Sequence, residues 1–312
     1  MKVKNRLDKA FKILKKEYSD WLFLLPFILG FLIFVAYPIF VSLFYSFTDH
    51  NGIRITKTGL FNYADIFDFS RFGMGKEVWR SFGLTGLYAI ISIPLSLILS
   101  YTLALFLKKE IPAIRTIRLL CYLPVLVPGI VAGQIWIDML SYDNMGVANG
   151  IINQMFIALG LAPKTFFSAA DTQFATLIFI GQWGIGGGMI VWLAALNNIS
   201  PVLYEAADID GAGYFTKLFK ITLPMSSPII FYNLIGAFIG CLQTFDSYAY
   251  IGRGMEDATY FISIRIYVTA FANTVHQYGL ACAMAWILFV FIGILTIIMF
   301  KTSKWVFYGD EA

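Results

Sequence analysis

The sequence predicts an all-α integral membrane fold of six transmembrane helices with both termini on the cytoplasmic side. Three observations carry this expectation. The 312-residue chain is 59% hydrophobic and only 13% charged, against roughly 25% charged residues in ordinary globular domains. Its apolar residues are gathered into blocks long enough for helices that need about 20 residues to cross a bilayer. Its basic residues fall unevenly on the two sides of those blocks.

The blocks place spans at approximately 21–47, 79–107, 118–140, 171–196, 224–250 and 279–300. They leave a charged amphipathic arm at 1–20, a transmembrane domain over 21–300 and a tail at 301–312. The first apolar run is too long for the core of a signal peptide and reads as an uncleaved helix. Its basic arm suits a surface helix held by anionic lipid headgroups. In the first span Phe23, Phe27, Phe31 and Phe34 recur at helical spacing, as lipid-facing or packing residues do.

The third and fourth blocks are interrupted. Pro124, Pro128, Gln134 and Asp138 lie in one, and Gly184, Gly186, Gly187 and Gly188 in the other. Such breaks are tolerated where neighbouring helices or a watery cavity satisfy the freed backbone groups. The glycines suit close helix packing rather than phosphate binding.

Orientation follows from charge. With the N-terminus inside, 15 of the 23 Lys and Arg residues face the cytoplasm, in the arm, the 108–118 loop, the 197–223 loop and the tail. An excess of inside Lys and Arg is the usual topological signal. The net charge of +4 is accounted for by this asymmetry, and no nucleic-acid partner is expected.

Several function classes are absent. The sequence has no G-x-x-x-x-G-K-[ST], G-x-S-x-G or H-E-x-x-H motif, so no phosphate cradle, nucleophile elbow or zinc helix is expected. His50 and His276 are the only histidines and fall in separate loops. Cys121, Cys241 and Cys282 lie in the apolar blocks without C-x-x-C spacing and read as packing residues. Neither catalysis nor a bound metal is expected.

The most informative segment is the polar insert between the fourth and fifth blocks, Tyr204–Pro224, reading YEAADIDGAGYFTKLFKITLP. Glu205, Ala206 and Ala207 favour a short helix over 202–210. Gly211, Ala212 and Gly213 break it, since glycine tolerates the backbone geometry of a sharp turn. Phe215, Leu218, Phe219 and Ile221 then form an apolar face expected to seat the next stretch against the membrane helices, and Leu223 and Pro224 open the fifth span. Glu205, Asp208 and Asp210 supply acidic groups around the first helix. Two readings stand on these residues: a helix that lodges in a cleft of a partner, or a solvated linker with an amphipathic surface helix.

The spacing E-A-A, three residues, G, nine residues, I-x-L-P resembles the cytoplasmic loop of permease subunits of binding-protein-dependent ABC importers, in the carbohydrate-uptake (maltose/glycerol-phosphate-type) group. Further points of likeness are Leu25-Pro26, Tyr37-Pro38, Ser46-Phe47-Thr48, Asn62-Tyr63, Leu123-Pro124, the Trp136 region and Trp305-Val306-x-Tyr308. Together they cover most of residues 21–308. One departure stands out: the group usually carries G-G-P after its fifth helix, where this chain has Gly252-Arg253-Gly254. That difference falls on a loop expected to meet the delivering protein.

The resemblance implies a type I ABC importer permease fold and half of a translocation path in a bacterial or archaeal plasma membrane. It implies as partners a second permease subunit, an ATPase dimer and an extracellular solute-binding protein. No cofactor is then bound by this chain, ATP and magnesium residing on the ATPase. Glu205, Ala206, Ala207, Asp210, Gly211, Ala212, Phe219, Leu223 and Pro224 become the residues that couple to it.

For the path itself, Asn233, Ala237, Gly240, Thr244 and Ser247 recur at spacings of 4, 3, 4 and 3, placing one small, hydrogen-bonding stripe on a single helix face. Gln243 and Asp246 stand near its outer end, with Trp183 and Gln134 on the fourth and third spans. Neutral donors beside aromatic rings suit sugars; small-residue helix packing reads the stripe equally. The alternative function is an ion-coupled secondary transporter of a small polar solute. The absence of an internal repeat and the scarcity of mid-span carboxylates count against it.

Overall fold

The computed structural model describes residues 21–71, 73–109, 111–142 and 147–307. The 1–20 arm and Tyr308 lie outside the described residues. Among these residues the structure is helical, with a single isolated bridge between Thr48 and Thr58. In chain order the helices are α1 (Trp21–Ser46), α2 (Phe61–Ile66), α3 (Gly75–Leu107), α4 (Ile114–Leu126) and α5 (Gly129–Met139). There follow α6 (Ile151–Ala158), α7 (Ala170–Gly184), α8 (Gly186–Asn197), α9 (Pro201–Ile209) and α10 (Tyr214–Leu242). The last are α11 (Tyr248–Ile251), α12 (Ile262–Ala272) and α13 (Tyr278–Lys301).

α1, α3, α10 and α13 are each long and apolar enough to cross a membrane. The pairs α4 with α5 and α7 with α8 pass the same test jointly but are bent by 97° and 49°. Counting each bent pair as one span gives six. The sharper bend has a local cause. Val127 is extended (φ −81°, ψ 123°) directly before Pro128, because the proline ring excludes the helical conformation from the residue preceding it.

The chain divides into two compact units. The first comprises residues up to Asp65 together with Thr269–Trp286. Here α1 presents apolar side chains outward along its whole length, Phe23, Phe27, Phe31 and Phe34 among them, as a helix in lipid does. Its end is tied down by polar contacts. The buried Asn62 side-chain amide donates to the carbonyls of Ser46 and Thr48 at 2.9 and 2.8 Å, and Tyr63 Oη donates to Ser46 Oγ at 2.8 Å. Trp286 Nε1 donates to Ser42 Oγ at 3.2 Å.

The second unit, Ile66–Val268 with Ile287–Ala312, is organised around α3. Its 33 residues make about 50 Å of helix, against a bilayer hydrocarbon core of about 30 Å. It packs on α8, α10 and α12. Tyr101, Ala104 and Leu107 bury against Met189, Trp192 and Leu196 of α8. A second cluster joins Leu177 and Ile180 of α7 to Tyr260, Phe261 and Ile264. α8 also lies close to α4: a Cβ on Gly186 would strike the carbonyl oxygen of Cys121. The glycine-rich segment thus serves close approach at that position, whereas Gly184 has open space around it.

Two sequence expectations need correction. The fifth span does not continue to residue 250: α10 stops at Leu242, where Gln243 leaves helical geometry (φ −106°, ψ 15°). Thr244, Asp246 and Ser247 are polar residues whose side chains favour turns over helix interiors, and the chain turns there before α11. The proposed stripe is therefore helical only from Asn233 to Gly240. The interruption expected in the third span is a break between α4 and α5. Finally, α12, an apolar helix of 11 residues, stands between the fifth and sixth blocks, where a simple loop was expected.

α10 itself contains two accommodations to proline. A π-helical turn, Leu218–Thr222, directly precedes Leu223-Pro224. Further on, Pro228 has no N–H for the carbonyl of Pro224, and Ser227 Oγ donates to that carbonyl instead, at 2.7 Å. The same hydroxyl accepts from the backbone N–H of Phe307 at 2.8 Å.

Candidate functional site: an exposed helical loop and two cavities

The segment between α8 and α10 folds as helix, turn, helix. Pro201 occupies the first turn of α9, where its missing N–H costs nothing because no partner exists for that donor. The helix ends in a Schellman turn. Ala212 N–H donates to Ala207 O at 2.8 Å and Gly211 N–H to Asp208 O at 3.1 Å, with Gly211 left-handed at φ +72°. The E-A-A residues are distributed unevenly: Glu205 and Ala206 are exposed, Ala207 half-buried. Asp210 is exposed and Ala212 half-buried. Asp208 is bridged by Lys217 Nζ at 2.5 Å across the turn.

The surface of this loop is apolar to an unusual degree. Ile209 is 88% exposed, Phe215 70% and Phe219 63%, with Val202 and Tyr214 also exposed. The expected apolar seat for the second helix is therefore split. Leu218, Ile221, Leu223 and Pro224 are partly buried, while Phe215 is exposed and Phe219, though mostly exposed, edges an apolar cavity with Leu97 and Tyr101 of α3. Beneath, Tyr204 anchors α9: its hydroxyl lies 3.0 Å from Thr222 Oγ1, and Lys108 Nζ stands 5.2 Å from its ring centroid. Lys108 also donates to Leu196 O at 2.9 Å, and Arg118 donates to Leu107 O at 2.7 and 3.2 Å. Two cations thus sit on the C-terminal carbonyls of α8 and α3, where the helix dipole favours positive charge.

Two of the cavities within the second unit take in residues expected for the path. The first, about 360 Å3, is walled by Tyr88, Trp136, Trp183 and Tyr250, with Thr244, Asp246 and Ser247 as its polar edge. Trp136 stands edge-on to Trp183 at 5.9 Å and 90°. Trp136 Nε1 and Ser247 Oγ are buried without a hydrogen-bond partner. The second cavity, about 390 Å3, is lined by Ser96, Ser100, Trp192, Tyr232, Asn233 and Ala237 among others. Gly181 and Gly184 line both. Both volumes fall in the range of small-molecule sites, about 300–1,000 Å3.

The path residues expected from the sequence are thereby divided. Thr244, Asp246 and Trp183 meet at the first cavity, and Asn233 and Ala237 at the second. Asn233 Nδ2 is turned back to Ile229 O at 2.9 Å. Gly240 and Gln243 are exposed and line neither cavity, and Gln134 is paired with Asp138 at 3.3 Å outside both. Tyr88, Tyr250 and the α3 serines were missed. Ser92, Ser96 and Ser100, spaced by four in an otherwise apolar helix, are the signal from which the α3 face was readable.

These features define a class: a multi-pass membrane protein with an interior of small polar-edged cavities and an apolar, acidic loop held outside the helical body. No protein-family model matches the chain. It is 34% identical over 312 residues to the probable ABC transporter permease protein YesP of Bacillus subtilis, covering 98% of this chain and 97% of that one. It is 28% identical to the probable starch degradation products transport system permease protein AmyD of Thermoanaerobacterium thermosulfurigenes, covering 96% and 98%. Among solved structures, a chain of a bacterial alginate ABC transporter, crystallised with an alginate pentasaccharide-bound periplasmic protein, superposes with a TM-score of 0.78. That match has 22% identity and covers 94% of this chain and 96% of that one. The chain belongs to the permease family of ABC transporters.

Proposed function

We propose that this chain forms one half of the translocation path of an ATP-driven importer of a saccharide or oligosaccharide in a bacterial or archaeal plasma membrane. A second permease subunit completes the path, an extracellular binding protein delivers the solute, and the 197–223 loop faces the cytoplasm and docks on a separate ATPase dimer that holds ATP and magnesium. The carrying observation is the loop surface: Ile209, Phe215 and Phe219 are largely exposed beside Glu205 and Asp210. Exposed apolar patches of this kind mark interaction sites.

Saccharide as cargo is supported by the starch degradation products named for the Thermoanaerobacterium relative and the alginate of the solved transporter. It is also supported by the chemistry of the first cavity, where aromatic faces stand beside two unpartnered hydrogen-bonding groups, Trp136 Nε1 and Ser247 Oγ. The ion-coupled alternative has no such support.

The test is reconstitution of the detergent-extracted chain with its co-purifying subunits in proteoliposomes. Uptake of starch-derived oligosaccharides and of an alginate pentasaccharide is then measured with and without ATP. Co-purification of an ATPase and ATP-dependent uptake are expected, both abolished by Ile209→Asp or Glu205→Lys. Uptake that proceeds without nucleotide, or a chain carrying Ile209→Asp that retains its ATPase, overturns the reading.

A further inference from the structure

A chain of buried contacts links the loop to the wall of the second cavity, and its hydrogen bonds have a fixed direction. Ser226 Oγ donates to Thr222 O at 2.6 Å. Its one proton is then used, so the 2.8 Å contact with Tyr101 Oη is donated by the tyrosine. By the same reasoning Thr222 Oγ1 donates to Lys217 O at 3.2 Å, so Tyr204 Oη is the donor to Thr222 Oγ1. The Tyr101 ring meets Trp192 edge-on at 5.2 Å and 86°. Trp192 Nε1 donates to Ser100 Oγ at 3.0 Å. Ser100 and Trp192 line the second cavity.

Every inner member of this series is buried: Thr222, Ser226, Tyr101, Trp192 and Ser100 are each at most 9% exposed. Away from water, a hydrogen bond is stronger and an unmade one costs more, so such a network favours discrete arrangements over gradual deformation. The series also crosses four helices. It runs from α9 through the π-helical turn at the start of α10, across to α3, and on to α8. Lys108 closes a second contact, holding Tyr204 against the C-terminal carbonyls of α8.

We propose that Tyr204 and Tyr101 are positioning residues that transmit the displacement of the loop to the cavity wall, through Thr222, Ser226 and Trp192. The inference rests on the docking of the loop on an ATPase proposed above. A shift of α9 cannot occur without moving Thr222 or breaking its bond to Tyr204. Thr222 in turn holds Ser226, which fixes Tyr101 and, through its ring, Trp192. Coupling of this kind requires an element with two arrangements that both sites bias; in this proposal that part falls to the π-helical turn at Leu218–Thr222, through which the series passes.

The test uses the whole importer in lipid nanodiscs, reading basal ATPase rate, its stimulation by the loaded binding protein, and solute carried per ATP. The variants are Tyr204→Phe, Tyr101→Phe and their double, Thr222→Val against Thr222→Ser, and Thr176→Val as a buried hydroxyl deletion off the series. Each series variant is expected to keep basal ATPase within about twofold and to lose stimulation and transport per ATP about fivefold or more. Thr222→Ser and Thr176→Val are expected to retain both. Because one break severs a linear series, the double variant is expected to be no worse than either single, a marked departure from additivity. Equal loss of basal and stimulated rates, full stimulation in Tyr204→Phe and Tyr101→Phe, or additive losses overturn the proposal. A wild-type chain that carries no ATPase overturns the docking reading instead, so the two failures are distinguishable.

Discussion

Asn62 reaches back 14 and 16 residues to make two bonds: its amide nitrogen donates to the carbonyl oxygens of both Thr48 and Ser46. This unites two sequence signatures that look unrelated in the linear chain, Ser46-Phe47-Thr48 and Asn62-Tyr63. Where α1 ends its last carbonyls have no helical partner, and the Asn62 amide supplies donors there while Tyr63 donates to the Ser46 hydroxyl. Replacing Asn62 with Ala is expected to destabilise the first unit by about 1–3 kcal/mol, the usual cost of leaving buried polar groups unpaired. Asn62→Asp is expected to be worse, since a carboxylate would face two carbonyls. Thermal unfolding in detergent checks both, and an unchanged melting temperature for Asn62→Asp would contradict the assignment.

The glycines separate into two groups by what surrounds them. A Cβ on Gly133 would overlap the Tyr250 ring, and one on Gly186 would meet the backbone of Cys121, whereas Gly236 and Gly240 have nothing within 4 Å. Overpacking of this kind costs about 1–3 kcal/mol. Gly186→Ala is expected to reduce the folded yield sharply, because backbone cannot step aside as a side chain can. Gly240→Ala is expected to be neutral. Fluorescence-detected size-exclusion profiles of the two variants make the comparison.

Gly211 is left-handed with open space around it, so substitution there tests backbone geometry alone. Gly211→Ala is expected to cost about 1 kcal/mol and Gly211→Asn less, since asparagine tolerates that region. Under the docking reading, ATPase co-purification follows the same order, with Gly211→Val weakest of the three. Lys217→Ala is expected to shift stability by less than about 1 kcal/mol, because its partner Asp208 is solvent-exposed.

Asp49 accepts from the Thr56 hydroxyl and from the backbone N–H groups of Thr56 and Lys57. These bonds, the hydroxyl foremost, lower its pKa to about 2 from 3.8. The depressed value sets the sign. The carboxylate's contribution to this turn is complete above about pH 4 and is lost as pH falls from 3.8 through about 2. Protection of the Thr56 and Lys57 amides, corrected for intrinsic exchange, is expected to fall across that window in the native chain and to be flat in Asp49→Asn.

Ser227 answers two backbone groups at once, the Pro224 carbonyl and the Phe307 N–H. Ser227→Ala is expected to destabilise by about 1–3 kcal/mol and to free the Ser303–Trp305 turn, which limited proteolysis at the C-terminal end detects. Ser227→Thr keeps the hydroxyl and is expected to retain most of the protection.

The linear chain by itself determined the membrane class, the apolar blocks and the helix–glycine–helix form of the loop. Those rest on local quantities: hydropathy over about 20 residues, the turn chemistry of Gly211, and the helical preference of Glu205 to Ala207. Even the break at Val127 was foreshadowed by Pro128, though not its angle of 97°. Only the tertiary structure decided which polar residues meet. The stripe from Asn233 to Ser247 is regular as a helical pattern, yet α10 ends at Leu242 and its members divide between two cavities. Likewise nothing in the linear sequence joins Ser100, Tyr101, Trp192 and Tyr204, and they become one connected series because α3, α8, α9 and α10 bring them within bonding distance. Periodicity assigns a residue to a face; which face it meets depends on neighbours that are remote in sequence.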